Sequence, residues 1–353
     1  MVVPPHPDPV VRGEREKKAL SPCGRGLGEG WQRYVIAALV GWLLTTPATA
    51  QSLDALPGWT QDRQSEVVRL LLAECPRLDV TFRAACAEAP RVPPGDDAAA
   101  RAFLQWAFVP RRQGQALFTG YFELELPGAR QQGGPYQVPV LRVPPDPGRF
   151  DRAQIERGAL AGRGLELVWL TSPADLYFLQ LQGSGRIRLA EGGVLRIGSA
   201  ALNGRASVPT ATLFGDADIS NHDLSIPNIR VWIAGHPTAG AARLARDPSY
   251  VFMAERGGLR DEEGPVGALG VPMAPLRSVA VDPHYVALGT LVWVATQISA
   301  TGQPMQRLML AQDTGEPIHG PAHVDMFFGS GTQAEAVGGR QNAPGTVWVL
   351  VPR

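Results

Sequence analysis

Leu308-Met309-Leu310-Ala311-Gln312-Asp313-Thr314-Gly315 is a short apolar run that stops on a carboxylate and a turn signal. A run of this length bounded by Gly reads as a buried strand. The last hundred residues repeat the pattern. Val266–Val271, Ser278–Asp282, Thr290–Ala295, Arg307–Gln312, His323–Phe328 and Gly345–Val351 all fit it. Six short strands with no long helix among them predict a small barrel. Working upstream, one helix is expected over 229–246, before Pro248-Ser-Tyr-Val-Phe252. Strand-like runs come at 166–170, 176–182 and 194–198, separated by Gly clusters. Residues 127–149 are polar and rich in Pro and Gly. Leu117–Leu124 alternates like a strand. Before Ala116 the period is helical. Val67, Val68, Leu71, Leu72 and Cys75 share one face, and Phe103, Leu104, Ala107 and Phe108 share another, between Arg101 and Arg111. The expected fold is therefore mainly β with some α: a helical lead-in, a β-rich middle and a C-terminal barrel.

Length and composition set bounds. A chain of 353 residues suits two domains. With 44% hydrophobic and 19% charged residues it can build ordinary cores, and 40 Gly and 32 Pro favour turns and short strands. Residues 1–30 are polar. After Arg33 comes the apolar run Tyr34–Leu44, and then Ala48-Thr49-Ala50, a small-residue cleavage signal. This predicts a leader and signal peptide over 1–50, export, and no stable membrane insertion after cleavage. The apolar run is roughly half the ~20 residues a spanning helix needs. Removing the six basic and four acidic residues before Gln51 leaves 27 basic and 29 acidic ones. That balance disfavours nucleic acid as a partner. Lys17 and Lys18 are the only lysines, so the exported chain has no lysine nucleophile and no phosphate-loop lysine. Cys75 and Cys86 remain after cleavage as an even pair in an oxidising compartment, which favours a disulfide over two free thiols.

Three aspartates stand at strand ends. Asp282 follows Val279-Ala280-Val281, Asp313 follows Leu308–Gln312, and Asp325 lies in His323-Val324-Asp325-Met326-Phe327-Phe328-Gly329. Partial burial there raises a carboxyl pKa and makes it a proton donor near neutral pH. Each also has a plain reading. Asp282 before Pro283 suits a turn, and Asp313 before Thr314-Gly315 suits a local cap. Asp325, followed by Phe327 and Phe328, suits a turn least.

Together these segments resemble the MltA family of lytic transglycosylases, with its three-aspartate domain. The resemblance rests on Gly267–Pro272, Arg277–Pro283, Leu288-Gly289, Ala311–Gly315, Val324–Gly329 and Val347–Leu350. Upstream it rests on Thr119-Gly120-Tyr121-Phe122-Glu123, Phe178–Gly185, Asn203-Gly204 and Pro248–Phe252. It spans roughly 60–353. There are departures. No Tyr stands near Ser199, Ala206–Thr210 replaces a Tyr-x-Ser-Ile-Gly-like text, and His319 and His323 stand where Lys or Arg is expected.

The resemblance implies a double-psi β-barrel domain from both chain ends, 51–125 and 246–353, with a second β-domain inserted over 126–245. It implies a periplasmic lytic exotransglycosylase, acting as a monomer without cofactor or metal. Such an enzyme cleaves the β-1,4 bond between N-acetylmuramic acid and N-acetylglucosamine of peptidoglycan without water. Asp325 falls on the catalytic acid, Asp313 on its carboxylate partner and Asp282 on the supporting aspartate. Gln182, Ser184 and Tyr121 are expected sugar contacts.

Three rivals are weighed. A non-catalytic wall-binding module would keep the groove and lose the acid. An aspartic protease needs two Asp-Thr-Gly carboxylates sharing a proton, and one exists here, so it would have to dimerise. His319, His323 and Asp325 could gather a zinc ion, though Gly320 and Pro321 between them do not favour one face. No G-x-S-x-G is present, which disfavours esterase chemistry.

Overall fold

Residues 52–219, 223–315 and 318–353 are described in a computed structural model. The expected signal peptide over 1–50 lies outside them. Three helices open the described chain: α1 (Gln64–Glu74), α2 (Arg83–Glu88) and α3 (Asp97–Ala107). The 22-residue strand β1 (Phe108–Ala129) follows, and then β2 (Val138–Leu141). Next come α4 (Arg152–Gln154), β3 (Glu166–Leu170), α5 (Pro173–Gln182), β4 (Ser184–Leu189) and β5 (Val194–Leu202). After these lie α6 (Thr210–Phe214), α7 (Ile226–Gly235), α8 (Pro237–Leu244) and β6 (Val251–Glu255). The last part holds β7 (Ser278–Ala280), β8 (Leu291–Gln297), β9 (Pro304–Asp313), β10 (His323–Ser330), α9 (Gly331–Gly338) and β11 (Asn342–Pro352).

Six strands close a barrel in the order β10-β7-β9-β8-β11-β1, and β1 pairs back to β10. The β1–β10 and β7–β9 pairs are parallel. The uninterrupted apolar runs follow from burial on both strand faces. On β8, Val292 and Val294 enter one core, while Leu291 and Trp293 enter another with α1 and α3. Met309 and Ala311 against Leu308 and Leu310 on β9, and Val347 and Val349 against Trp348 and Leu350 on β11, divide the same way.

The lead-in helices are fastened to the barrel at Arg277. This buried guanidinium donates to Asp62 at 2.9 Å, to Glu66 at 2.8 Å and to the Leu308 carbonyl at 3.0 Å. Asp62 also accepts from the Leu308 N–H. Cys75 and Cys86 are joined in a disulfide, 11 residues apart. Closing so short a loop restricts the unfolded chain by about 3 kcal/mol. Replacing both cysteines by Ala should lower the thermal midpoint, and added reductant should bring the parent to the same value. Equal melting of parent and variant would contradict this.

Four expectations are corrected. Residues 176–182 belong to helix α5, not a strand. Ser172 caps it through the Ala174 N–H, Pro173 starts it, and Gly183 ends it at φ 74°. Because Leu176 to Gln180 are all buried, no polar stripe marks the helical period. Residues 266–271 form a turn with one isolated bridge, Val266 to Pro272, so β1 supplies the sixth barrel strand. The helix expected over 229–246 is two helices, broken at His236-Pro237, because Pro237 supplies no N–H and restricts the backbone before it. The helix expected between Arg101 and Arg111 ends at Ala107, and Phe108 is already extended (φ −134°, ψ 157°).

The second half of β1 leaves the barrel. Leu124–Gly128 pairs with β4, and the sheet continues through β5 to β6, with β2 and β3 alongside. The register shifts between Tyr121 and Glu123, where β1 passes from one sheet to the other.

Candidate active site

Ala280 on β7 pairs with Asp325 on one side and Asp313 on the other, so the register alone sets both carboxylates at the same level along β7, one on each flanking strand. On the far side of β10, Thr119 faces Asp325 in register. Thr119 and Tyr121 are two apart on β1 and share a face. Thr119 donates to Asp325 Oδ1 at 2.7 Å, and Tyr121 donates to Asp313 Oδ2 at 3.2 Å. Asp313 Oδ1 accepts from the Ala268 N–H at 2.9 Å.

Asp325 retains some solvent exposure but is enclosed by protein on most sides. Loss of hydration is the main reason its pKa rises to about 7; the nearby charge of Asp313 adds to the rise, and the Thr119 hydrogen bond opposes it. Burial also raises Asp313, against the N–H groups of Ala268 and Thr314 and the Tyr121 hydroxyl. Tyr121 is pushed well above the ordinary phenol value, first by burial and then by the two carboxylates, so it remains a neutral donor. Two carboxylates with raised values thus lie within electrostatic reach of each other across β7, and Asp325 is poised to hold or release a proton near neutral pH.

Asp282 behaves otherwise. The expectation of a raised pKa at every strand-end aspartate fails here. Its carboxylate accepts from the Gly320 N–H at 2.8 Å, the His284 N–H at 3.0 Å and the His284 ring at 2.8 Å. These donors hold it down at about 2, the Gly320 N–H foremost. It is an ionised anchor that ties the turn after β7 to the segment leading into β10. Of the three aspartates, only Asp313 and Asp325 are acids with raised values.

The other expected contacts separate. The Gln182 side-chain carbonyl accepts the Phe122 N–H at 3.0 Å, so it holds β1 in place. Ser184 lines a small cavity of about 60 Å³ with Glu123, Arg196, Ser199 and Arg256. Tyr121 serves Asp313. Asn203, part of the motif that carried the resemblance, is buried and structural: it donates to the Phe150 and Pro248 carbonyls and accepts the Tyr250 N–H. His323 Nε2 lies 2.9 Å from the Thr119 hydroxyl. Among the described residues, no three His, Cys, Asp or Glu side chains gather in a way that could hold a metal ion.

Sequence reasoning missed two participants, Thr119 and Glu123. Glu123 is fully buried at the β1 crossover. It pairs with Arg186 at 2.7 Å and Arg196 at 3.1 Å, and accepts from Ser330 at 2.8 Å. The two guanidiniums also donate to the carbonyls of Arg260, Asp261 and Glu263, at the start of the segment that brings Ala268 to Asp313. Alternation from Tyr121 would have placed Thr119 and Glu123 on its face.

Residues 117–254 match the MltA specific insert domain, and residues 277–351 match the 3D domain. Membrane-bound lytic murein transglycosylase A of Escherichia coli K12 is 33% identical over 247 residues; the alignment covers 67% of this chain and 66%, just under two thirds, of that protein. The solved lytic transglycosylase LtgG of Burkholderia pseudomallei is 35% identical, with 86% of this chain and 94% of that chain covered and a TM-score of 0.63. The E. coli MltA structure with bound chitohexaose is 28% identical, with 81% and 88% covered and a TM-score of 0.68. Two domain matches in order, a third of residues identical and a shared fold agree: the chain belongs to the MltA family.

Proposed function

We propose that this chain is a lytic transglycosylase that cleaves the β-1,4 bond between N-acetylmuramic acid and N-acetylglucosamine, leaving 1,6-anhydromuramic acid ends. The observation that carries the reading is Asp325, an enclosed carboxyl with a pKa of about 7 within electrostatic reach of a second carboxylate. The chitohexaose bound to the E. coli relative, a chain of β-linked amino sugars, supports the substrate class.

The chemistry needs one acid that becomes a base. Protonated Asp325 donates to the glycosidic oxygen as the C1–O bond breaks and an oxocarbenium-like centre forms. The resulting carboxylate takes the proton from the muramic acid 6-hydroxyl, whose oxygen bonds to C1. The nucleophile belongs to the substrate, so no second carboxylate has to activate water. Asp313 raises the proton affinity of Asp325 but ranks behind burial. Tyr121 and the Ala268 N–H fix Asp313 in place.

The same reading divides the chain into a barrel domain from both chain ends and an inserted β-domain; the expected return to the barrel at 246 moves to after β6, which pairs with β5 in the second sheet. It makes the protein a monomeric enzyme of the periplasm or cell envelope, with no cofactor. Among the described residues no helix is long and apolar enough to cross a membrane.

Residues 51–353 incubated with purified peptidoglycan should release fragments ending in 1,6-anhydromuramic acid, identified by mass spectrometry. Reducing ends alone would replace this reading with hydrolysis. Binding to the wall without cleavage would replace it with a wall-binding module. The rate should also be pH-dependent. Asp325 must be protonated to act, so kcat should hold below about pH 7 and fall about tenfold per unit above it. Initial rates across pH check this, and a rate still rising above pH 8 would contradict it.

A further inference from the structure

Thr119 has one hydroxyl proton and two partners. Its Oγ1 lies 2.7 Å from Asp325 Oδ1 and 2.9 Å from His323 Nε2. The parallel pairing of β1 and β10 builds this trio. Thr119 faces Asp325 in register, and Leu117, two residues back, faces His323. Side chains two apart on a strand share a face, so the ring and the carboxyl reach the same hydroxyl.

A hydroxyl donates once and accepts through two lone pairs. Two arrangements therefore satisfy all three groups. In the first, His323 Nε2–H donates to Thr119, and Thr119 donates to Oδ1. With Oδ1 already accepting from Thr119, a proton on Asp325 is left to Oδ2. In the second, Thr119 donates to an unprotonated Nε2 and accepts from Oδ1–H. The acidic proton is then turned into the protein, away from anything bound.

We propose that His323 is a positioning residue: by donating from Nε2 to Thr119 it directs the Thr119 proton onto Oδ1 and keeps the transferable proton of Asp325 on Oδ2. This rests on the reading of Asp325 as the acid. The proton leaves Oδ2 for the glycosidic oxygen and returns to Oδ2 from the 6-hydroxyl, while Thr119 and His323 keep theirs. The neutral Nε2–H ring and the imidazolium both serve; the imidazolium adds a charge that favours ionised Asp325. Asp313 from β9 and Tyr121 from β1 interact electrostatically with Asp325, and Tyr121 stays neutral.

The test compares kcat, KM and the pH profile of anhydro-end formation in the parent and in variants at both positions, with melting curves to confirm folding. His323→Leu removes the donor, and kcat should fall about tenfold or more with KM little changed. His323→Gln restores an N–H donor and should recover kcat to within about threefold of the parent. Thr119→Val should lower the kcat plateau. Because the Thr119 hydrogen bond holds the Asp325 pKa down, Thr119→Val should also move the basic limb to higher pH. Thr119→Ser should reverse both effects. A merely structural role would lower the plateau without moving the limb. Equal kcat for His323→Leu and His323→Gln, or an unmoved limb in Thr119→Val, overturns the proposal. If the parent forms anhydro ends and His323→Leu matches it, only the role of His323 falls. If the parent forms none, the assignment of the acid falls and this role falls with it.

Discussion

Asp325→Asn should lower anhydro-end formation by about 100- to 10,000-fold, the usual contribution of a general acid, and it should make the folded protein more stable above neutral pH. Both effects come from one cause. Enclosure by protein raises the Asp325 pKa to about 7, whereas in the unfolded chain it is about 3.9. Between those values the folded state holds a proton that the unfolded state has released. Stability therefore falls as pH rises through that window and stays lower above it. Asn cannot ionise and escapes the loss. Relative to its difference from the parent at pH 4, the variant should gain about 2 to 4 kcal/mol at pH 8. Denaturant unfolding at the two pH values measures this. A variant that stays inactive but shows the same difference at both would mean that Asp325 is not a strained, high-pKa acid.

Glu123→Ala should cost about 3 to 5 kcal/mol of stability, because it leaves two enclosed guanidiniums without their carboxylate. Glu123 is 1% exposed, and Arg186 and Arg196 are 15% and 10% exposed, so water cannot readily replace the lost partner. The loss should spread to the site. Ser330, at the end of the strand that carries Asp325, loses its acceptor. The segment from Arg260 to Glu263, held by the same two arginines, leads to the Ala268 N–H on Asp313. Replacing Glu123, Arg186 and Arg196 together with apolar residues of similar volume should cost less than Glu123→Ala alone. Urea unfolding of both proteins decides it. A Glu123→Ala variant within about 0.5 kcal/mol of the parent would mean that the network carries little of the junction.

The barrel was legible where strands are buried on both faces. Leu291–Val294 and Leu308–Ala311 are unbroken apolar runs because each face meets a different core. It was illegible where tertiary context overrode pattern. Helix α5 is buried all round, so its signal lay in Ser172, Pro173 and Gly183 rather than in periodicity. The sixth barrel strand comes from β1, far upstream in sequence; strand pattern did not point there, and only the resemblance, with its barrel built from both chain ends, did. The site divides on the same principle. Asp313 and Asp325 could be named from their positions at the ends of apolar runs. Their enclosure, and the Gly320 donor to Asp282, depend on loops that fold back from elsewhere, whereas the two His284 donors are local and belong to the turn that Asp282 before Pro283 suggested. Thr119 and Glu123 were within reach, since alternation around Tyr121 puts all three on one face. What the sequence did not show was which partners would meet that face.

The most direct measurement is digestion of purified peptidoglycan by residues 51–353 in heavy-oxygen water, with the muramic acid ends weighed by mass spectrometry. Internal attack by the 6-hydroxyl predicts ends that lack the mass of one water and carry no heavy oxygen, and Asp325→Asn should form almost none. Ends labelled with solvent oxygen would contradict the account, because water would then be the nucleophile and a second residue would have to activate it.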